Sequence, residues 1–269
     1  MMLSAKGCCP YCELNSKIKN APVWRGDCGN HFSLRWGAVL FAIIICRKGR
    51  KKHILREIYP YTFYMKDKFM DKATLNYYNA HAQEFVQGTV AVNFHITQDR
   101  FLAQLEKGAS ILDFGCGSGR DTKYFLEHGF AVEATDGSAE LCKLASEYTG
   151  ISVKQLLFDE LEAVDKYDGI WACASILHLE WADLVVVMQK MVRALKGEGV
   201  IYTSFKYGQF TGERNGRFFT DLDEEGLARL LKEVGGLAVK ELWITGDVRP
   251  GRGEEKWLNV LLQKSCLGK

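Results

Sequence analysis

The middle of the chain carries glycines and an acidic residue at a spacing that suits ligand binding. An apolar run from Ile111 ends at Asp113, and glycines then occupy alternate positions at Gly115, Gly117 and Gly119. Because glycine lacks a Cβ, such a segment can turn tightly and bring its backbone close to a ligand. A helix pattern follows, and a helix N-terminus favours negative charge. The segment predicts a strand, a ligand-binding turn and a helix; the alternative is a turn that serves only the fold.

A second acidic residue follows at the distance that nucleotide-binding folds use. Residues 130–136 have the pattern of a strand that ends in Asp136, and Gly137 and Ser138 begin the next turn. A carboxylate about 20 residues beyond a glycine turn can accept hydrogen bonds from the hydroxyls of a ribose. We therefore predict a ribose contact for Asp136, with capping of the following helix as the alternative.

Composition indicates an ordinary globular protein with a basic N-terminal segment. The chain has 269 residues, of which 47% are hydrophobic and 25% charged, and its net charge is +2. Residues 1–72 contain 14 Lys/Arg and 5 Asp/Glu, a balance of +9, whereas the remainder contains 21 and 28, a balance of −7. An acidic body gives no electrostatic reason to expect nucleic-acid binding there. We expect a basic leader over residues 1–71 and an α/β domain over residues 72–269.

The leader allows more than one interpretation. Cys9-x-x-Cys12 and Cys28-x-x-His31 have the spacing of a small zinc ribbon. The alternatives are a disordered leader or a stretch translated upstream of the real start. The apolar run at 36–46 is shorter than the roughly 20 residues that cross a bilayer, so we expect no membrane span. Nine cysteines, an odd number, favour reduced thiols and a cytoplasmic location.

Helix and strand patterns alternate through the rest of the chain. Besides the elements around the glycine turn, helices are expected at 75–85, 97–105, 139–148, 184–195 and 224–234, and strands at 151–158, 167–174, 200–205, 239–245 and 257–263. Residues 206–219 are polar and glycine-rich, which favours a mobile substrate loop or a plain solvated loop. Open α/β sheets bind ligands at the carboxyl ends of their strands, so the turn and the acid should meet there.

The stretch Asp113-Phe114-Gly115-Cys116-Gly117-Ser118-Gly119, together with Asp136, resembles the first motifs of class I S-adenosylmethionine (SAM) methyltransferases. The resemblance covers about residues 72–265 and implies a Rossmann-like, seven-stranded, mostly parallel sheet with a C-terminal antiparallel hairpin and helices on both faces. Within the family, the motif is most similar to the tellurite-resistance type and related small-molecule enzymes. SAM is the implied cofactor and a small molecule the implied methyl acceptor.

The resemblance also implies which residues contact the cofactor. A tyrosine-bearing helix ahead of the first strand covers SAM in similar enzymes, and Tyr77 or Tyr78 would fill that role here. Arg120 would hold the carboxylate end of SAM or an anionic substrate, or else lie on the helix surface. The implied cofactor-binding residues are Tyr78, Asp113, Gly115, Cys116, Gly117, Gly119, Arg120, Asp136, Gly137, Phe158, Asp159, Glu160 and Ala174. Of these, Asp159 and Glu160 are alternatives for the adenine amino group.

Two residues are candidates for catalysis, and no metal ligands are expected in the domain. His178 follows the fourth strand, where it is placed for proton transfer, and Tyr207 lies in the loop after the fifth. The loop at 174–177 lacks the Pro-Pro motif of methyltransferases that act on the amino groups of bases, and no proline precedes Cys173. Both absences argue against methylation of a nucleobase by those routes. A SAM-dependent methyltransferase of a small molecule is therefore the leading hypothesis. The alternatives are a nucleotide-dependent oxidoreductase, a non-catalytic binding protein of the same fold, and a zinc-dependent nucleic-acid adaptor.

Overall fold

The computed structural model describes residues 72–249 and 251–265. The basic leader, its four candidate zinc ligands and the apolar run at 36–46 lie outside the described residues. The helices are α1 (Lys72–Ala80), α2 (Ala82–Thr89), α3 (His95–Leu102), α4 (Arg120–Glu127), α5 (Ala139–Thr149), α6 (Trp181–Ala194) and α7 (Glu224–Val234). The strands are β1 (Ser110–Phe114), β2 (Ala131–Asp136), β3 (Lys154–Gln155), β4 (Tyr167–Ala172), β5 (Leu195–Lys206), β6 (Thr211–Arg214), β7 (Arg217–Thr220), β8 (Leu237–Gly246) and β9 (Lys256–Lys264).

Seven strands form one mixed sheet in the order β3-β2-β1-β4-β5-β9-β8. The first five pair in parallel, and β9 pairs antiparallel with both β5 and β8. Chain order reverses between β1 and β4, so connections leave this point toward opposite edges of the sheet. Such a switch point opens a crevice at the carboxyl ends of the strands. The predicted fold class, including the C-terminal antiparallel hairpin, is confirmed.

Helices cover both faces of the sheet because successive side chains of a strand point in opposite directions. In β1, Leu112 belongs to the core that β4 and β5 share with α6 and α7, whereas Ile111 belongs to the core packed against α3 and α4. In β4, Ile170 faces the first of these cores and Trp171 the second. Both faces of the central strands are thereby buried, as apolar runs in parallel sheets require.

The strand expected at 151–158 is much shorter in the structure. Only Lys154–Gln155 pair with β2, at the edge of the sheet. Phe158 instead begins a 3₁₀ turn and packs edge-on against Phe114, with 4.9 Å between the ring centroids. An edge strand gains hydrogen bonds from one neighbour only, so packing of this aromatic ring in the core ends the strand early.

The loop expected at 206–219 contains a β-hairpin. Strands β6 and β7 pair antiparallel, with Arg214 opposite Arg217. Asn215 and Gly216 connect them with φ angles of +51° and +74°, the left-handed conformation that two-residue hairpin turns demand. Asn-Gly between short strands is a strong hairpin signal. The expectation of a loop was wrong because this dipeptide outweighs the polar composition around it.

Two further boundaries differ from the expected ones. The helix predicted at 75–85 is divided at His81, whose backbone leaves the helical region and separates α1 from α2. Strand β5 begins at Leu195 instead of residue 200, because Leu195 pairs with Tyr167 in β4 before a register shift.

Candidate functional site

The glycine-rich turn after β1 lies against two side chains that leave no room for a Cβ. Gly115 and Gly117 have φ angles of +85° and +55°, which L side chains rarely adopt. A Cβ on Gly115 would lie 2.5 Å from the Cβ of Ser175, and one on Gly117 would lie 2.9 Å from Cε1 of Phe85. Glycine is therefore required at both positions, and the turn presents bare backbone to its surroundings.

The turn forms one wall of a large cleft at the carboxyl ends of β1, β2 and β4. The cleft is open to solvent on one side and is lined by glycine backbone, aromatic rings and charged side chains.

Asp136 ends β2 and lines the cleft beside the glycine turn. Its Oδ2 accepts the Gly117 N–H at 2.9 Å, and its Oδ1 accepts the Ser138 N–H at 2.9 Å. Burial raises the pKa of Asp136, and these backbone donors oppose the rise. The backbone N–H of Gly137 also acts on this carboxylate. A carboxylate has about four acceptor sites, so acceptor capacity remains for a ligand. The capping alternative is not what the structure shows, because the Ser138 hydroxyl caps α5 by accepting the Leu141 N–H.

Arg120, the first residue of α4, lines the cleft, and its positive charge is paired with a neighbouring carboxylate. Its Nε donates to Oδ1 of Asp121 at 2.7 Å. Asp121 is buried and also accepts hydrogen bonds from the side chains of Gln98 and Trp171, at 2.7 and 2.8 Å. Burial alone would lower the pKa of Arg120, but the Asp121 carboxylate raises it overall. The guanidinium is thus fixed in position by a buried hydrogen-bond network.

Helix α1 covers the cleft and is held to the rest of the domain by two hydrogen bonds. The Thr74 hydroxyl accepts the backbone N–H of Phe218 in β7 at 2.9 Å. Asn79 accepts a hydrogen bond from the Ser138 hydroxyl at 2.6 Å, beside the end of β2. Tyr78 lines the cleft between these two attachments. The structure therefore has a tyrosine-bearing helix over this edge of the sheet.

Tyr78 and His178 form a hydrogen-bonded pair inside the cleft. His178 Nδ1 lies 2.6 Å from the Phe218 carbonyl oxygen, which can only accept, so Nδ1 carries the proton of the neutral ring. Nε2, at 2.8 Å from the Tyr78 oxygen, therefore accepts the tyrosine hydroxyl proton. Burial lowers the pKa of His178 to about 4 and raises that of Tyr78. At neutral pH His178 is uncharged and orients the Tyr78 hydroxyl.

The opposite end of the cleft is apolar and bounded by the turn after β3. Phe158 lines it. Asp159 does not line the cleft, but its Oδ1 is buried and has no hydrogen-bond partner among the described residues. Glu160 turns away, because its carboxylate accepts the Leu157 N–H at 2.9 Å. A buried acceptor without a donor is costly unless a ligand or water supplies one, which singles out Asp159.

The structure brings most of the expected site residues together. Those that line the cleft are Tyr78, Gly115, Cys116, Gly117, Arg120, Asp136, Gly137, Phe158, Ala174 and His178. Asp113 lies behind the turn and accepts the Thr122 hydroxyl at 2.5 Å; burial and the nearby Asp121 carboxylate raise its pKa. Gly119 serves packing, since a Cβ there would lie 2.8 Å from Thr149.

Tyr207 lies away from the cleft. Its side chain is 38% exposed, and its hydroxyl donates to Glu224 at 3.0 Å. The structure adds cleft residues that were not expected, among them Arg217 from β7, Arg249 from the loop after β8, and Trp257 from β9. The hairpin signal would have placed Arg217 on a strand, whereas no local signal identifies the other two.

Two negative findings apply to the described residues. They contain no group of three or more His, Cys, Asp or Glu side chains placed to hold a metal ion. None of the helices in residues 72–249 and 251–265 is long and apolar enough to cross a membrane.

Comparisons with known proteins agree with this geometry. Residues 111–199 match a family described as "Methyltransferase domain", while no curated protein sequence matches the chain. Three solved structures share the fold. 1,6-Didemethyltoxoflavin-N1-methyltransferase from Burkholderia thailandensis, solved with its namesake compound and S-adenosylhomocysteine, is 23% identical, with 69% of this chain and 84% of that chain covered and a TM-score of 0.58.

N-methyltransferase NodS from Bradyrhizobium japonicum WM9, solved with S-adenosylhomocysteine, is 16% identical, with 70% of this chain and 98% of that chain covered and a TM-score of 0.57. The [4+2]-cyclase SpnF is 13% identical, with 71% and 94% covered and a TM-score of 0.56. The fold thus hosts more than one reaction, and at these identities the structures establish fold only.

The resemblance drawn from the glycine motif agrees with the family match, which spans the motif, Asp136 and β4. SAM is the cofactor expected from the sequence, and two of the solved structures that share the fold contain S-adenosylhomocysteine, the product that SAM becomes after methyl transfer. Residues 111–199 of this chain are thus similar to a methyltransferase domain, and the chain shares its fold with two methyltransferases that were solved with S-adenosylhomocysteine.

Proposed function

We propose that the protein transfers a methyl group from SAM to a small-molecule acceptor. The observation that carries the proposal is the meeting of the bare glycine turn with Asp136, whose carboxylate lines the cleft and keeps acceptor capacity for a ligand. A ribose offers hydroxyl donors that suit such a carboxylate. The same wall would be blocked by a Cβ at Gly115 or Gly117. The residues present therefore fit the cofactor.

The remaining cofactor contacts follow from the two ends of the cleft. The Phe158 end suits adenine. Asp159 is favoured over Glu160 as acceptor for the adenine amino group because its buried Oδ1 has no partner among the described residues, and its carboxylate would have to turn toward the cleft to make this contact. At the other end, the compensated Arg120 suits the zwitterionic amino-acid portion. Gly137 lines the wall next to Asp136. We place all of these contacts within the domain that begins at residue 72.

SAM supplies an electrophilic methyl group when bound, so the protein must mainly align the acceptor and exclude water. Helix α1 and the β6–β7 hairpin close over the cleft and exclude water from it. Tyr78 contributes to alignment of the substrate. Its hydroxyl proton is donated to His178, so its oxygen can accept a hydrogen bond from the molecule that receives the methyl group. His178 then acts through Tyr78 as a positioning residue. Tyr207, bonded to Glu224, takes no part.

A small acceptor is supported over a nucleic acid by the covering elements and by charge. The acceptor must enter beneath α1, which is anchored at Thr74 and Asn79. The domain itself has a negative net charge, which gives no electrostatic support for binding a phosphate backbone.

Calorimetric titration of S-adenosylhomocysteine into the full chain tests the proposal. We expect saturable one-to-one binding, no competition by NAD⁺, and a strong loss of affinity in Gly117→Ala. The matched control is Gly150→Ala, since Gly150 shares a positive φ but a Cβ there meets no atom within 4 Å. Binding of NAD⁺ instead of S-adenosylhomocysteine would move the oxidoreductase hypothesis ahead.

A further inference from the structure

One partly buried arginine of the cleft has no carboxylate partner among the described residues. Arg217 begins β7 and lines the cleft. Its Nε is buried and makes no hydrogen bond within the described residues. Its Nη1 donates only a long hydrogen bond of 3.4 Å to the Tyr78 hydroxyl. No Asp or Glu among residues 72–249 and 251–265 forms an ion pair with it.

The neighbouring arginines differ in this respect. Arg120 pairs with Asp121 at 2.7 Å, and Arg249 pairs with Asp247 at 2.5 Å. Arg214, directly opposite Arg217 in the hairpin, pairs with Asp221. A buried N–H group without an acceptor is costly, because its lost hydration is not replaced. Arg217 is thus a partly buried cation of the cleft whose Nε is free to donate to a ligand.

The surroundings of Arg217 are aromatic. Its guanidinium carbon lies 4.5 Å from the ring centroid of Tyr77, 5.8 Å from that of Tyr78 and 5.3 Å from that of Phe219. Such contacts hold the planar group in one orientation and leave its N–H edge for a ligand. Tyr78 and Phe219 also line the cleft, so an apolar surface adjoins the cation.

We propose that Arg217 binds a carboxylate of the methyl acceptor, and that the acceptor is a small carboxylate-bearing molecule with an aromatic-sized body. This inference rests on the proposed methyl transfer and adds the class of substrate. A planar guanidinium matches the two oxygens of a carboxylate. Arg120 and Arg249 are already paired with carboxylates. Arg252 also lines the cleft without an ion pair among the described residues, but it is exposed to solvent, whereas the Nε of Arg217 is buried. The adjoining rings suit a flat, apolar body.

The test uses matched pairs of acid and amide that differ only in charge: salicylate and salicylamide, anthranilate and anthranilamide, 4-hydroxybenzoate and 4-hydroxybenzamide. Each is titrated calorimetrically into the full chain saturated with S-adenosylhomocysteine, and methyl transfer from SAM is measured in parallel. At least one acid is expected to bind tenfold or more tightly than its amide. Arg217→Gln should abolish that preference, and Arg217→Lys should retain part of it.

Controls separate this inference from the proposed function. Arg229→Gln makes the same change of charge at an exposed pair with Glu233 and should leave acid binding unchanged. All three variants should bind S-adenosylhomocysteine within about twofold of wild type, which also shows that they are folded. The inference is overturned if no acid binds in preference to its amide, or if Arg217→Gln keeps the preference. If wild type fails to bind S-adenosylhomocysteine, the proposed function itself fails first.

Discussion

Substituting Gly117 by alanine adds one methyl group at the point where the cofactor is proposed to approach the backbone. The new Cβ would lie 2.9 Å from Cε1 and 3.3 Å from Cζ of Phe85. Phe85 packs edge-on against Tyr78, with 5.4 Å between ring centroids, so any shift of its ring disturbs the cleft wall. The φ angle of +55° adds backbone strain.

The two effects have separable magnitudes. A left-handed conformation costs an L residue about 1–2 kcal/mol, which corresponds to a fall in Tm of about 3–6 °C for a domain of this size. Overpacking costs about 1–3 kcal/mol, and on ligand affinity this is about 5- to 150-fold. Gly150→Ala carries the strain alone, because its φ is +80° and its Cβ meets nothing within 4 Å.

Differential scanning calorimetry and titration of S-adenosylhomocysteine together give the answer. Gly150→Ala should melt a few degrees below wild type and Gly117→Ala lower still, because overpacking adds to its backbone strain. Only Gly117→Ala should lose affinity, by about tenfold or more. If the two variants bind S-adenosylhomocysteine equally well, the glycine turn does not approach the cofactor and the reasoning is refuted.

Three other outcomes are expected. His178→Gln should make the stability of the fold less sensitive to acid. The pKa of His178 is about 4 when folded and about 6.5 when unfolded, so wild type loses up to about 3 kcal/mol of stability as pH falls from 6.5 to 4. Urea unfolding at several pH values measures this, and a free energy of unfolding with the same pH dependence in the variant and in wild type would contradict it. Asp136→Asn should lower both S-adenosylhomocysteine affinity and, by about 1–3 kcal/mol, the free energy of unfolding, because its amide would face a backbone donor; unchanged thermal stability would contradict the observed hydrogen bonds. Asp121→Ala should cost about 3–5 kcal/mol because it leaves Arg120 buried without a partner, and restoration of Tm by adding Arg120→Met is the check.

The local features of this protein were predictable from the sequence. The alternation of strands and helices, the glycine turn after β1 and the acid at the end of β2 all depend on residues close together in the chain. Asn215-Gly216 was equally local, and recognising it would have given the β6–β7 hairpin in place of a loop. The length of β3 was not predictable, because burial of Phe158 against Phe114 depends on packing across the sheet.

The candidate site likewise has one part that the sequence predicted and one part that only the tertiary structure shows. Sequence spacing identified the wall built from Gly115, Gly117 and Asp136, since consecutive elements of the fold carry it. The acceptor side joins α1 to β7, which stand 144 residues apart at the bond between Thr74 and Phe218. Neither the neutral state of His178 nor the missing counter-charge of Arg217 can be read from the chain, because both follow from burial and from which side chains meet. The sequence alone predicted the glycine turn and the acid that form one wall of the cleft, whereas tertiary packing decided which side chains lie opposite that wall.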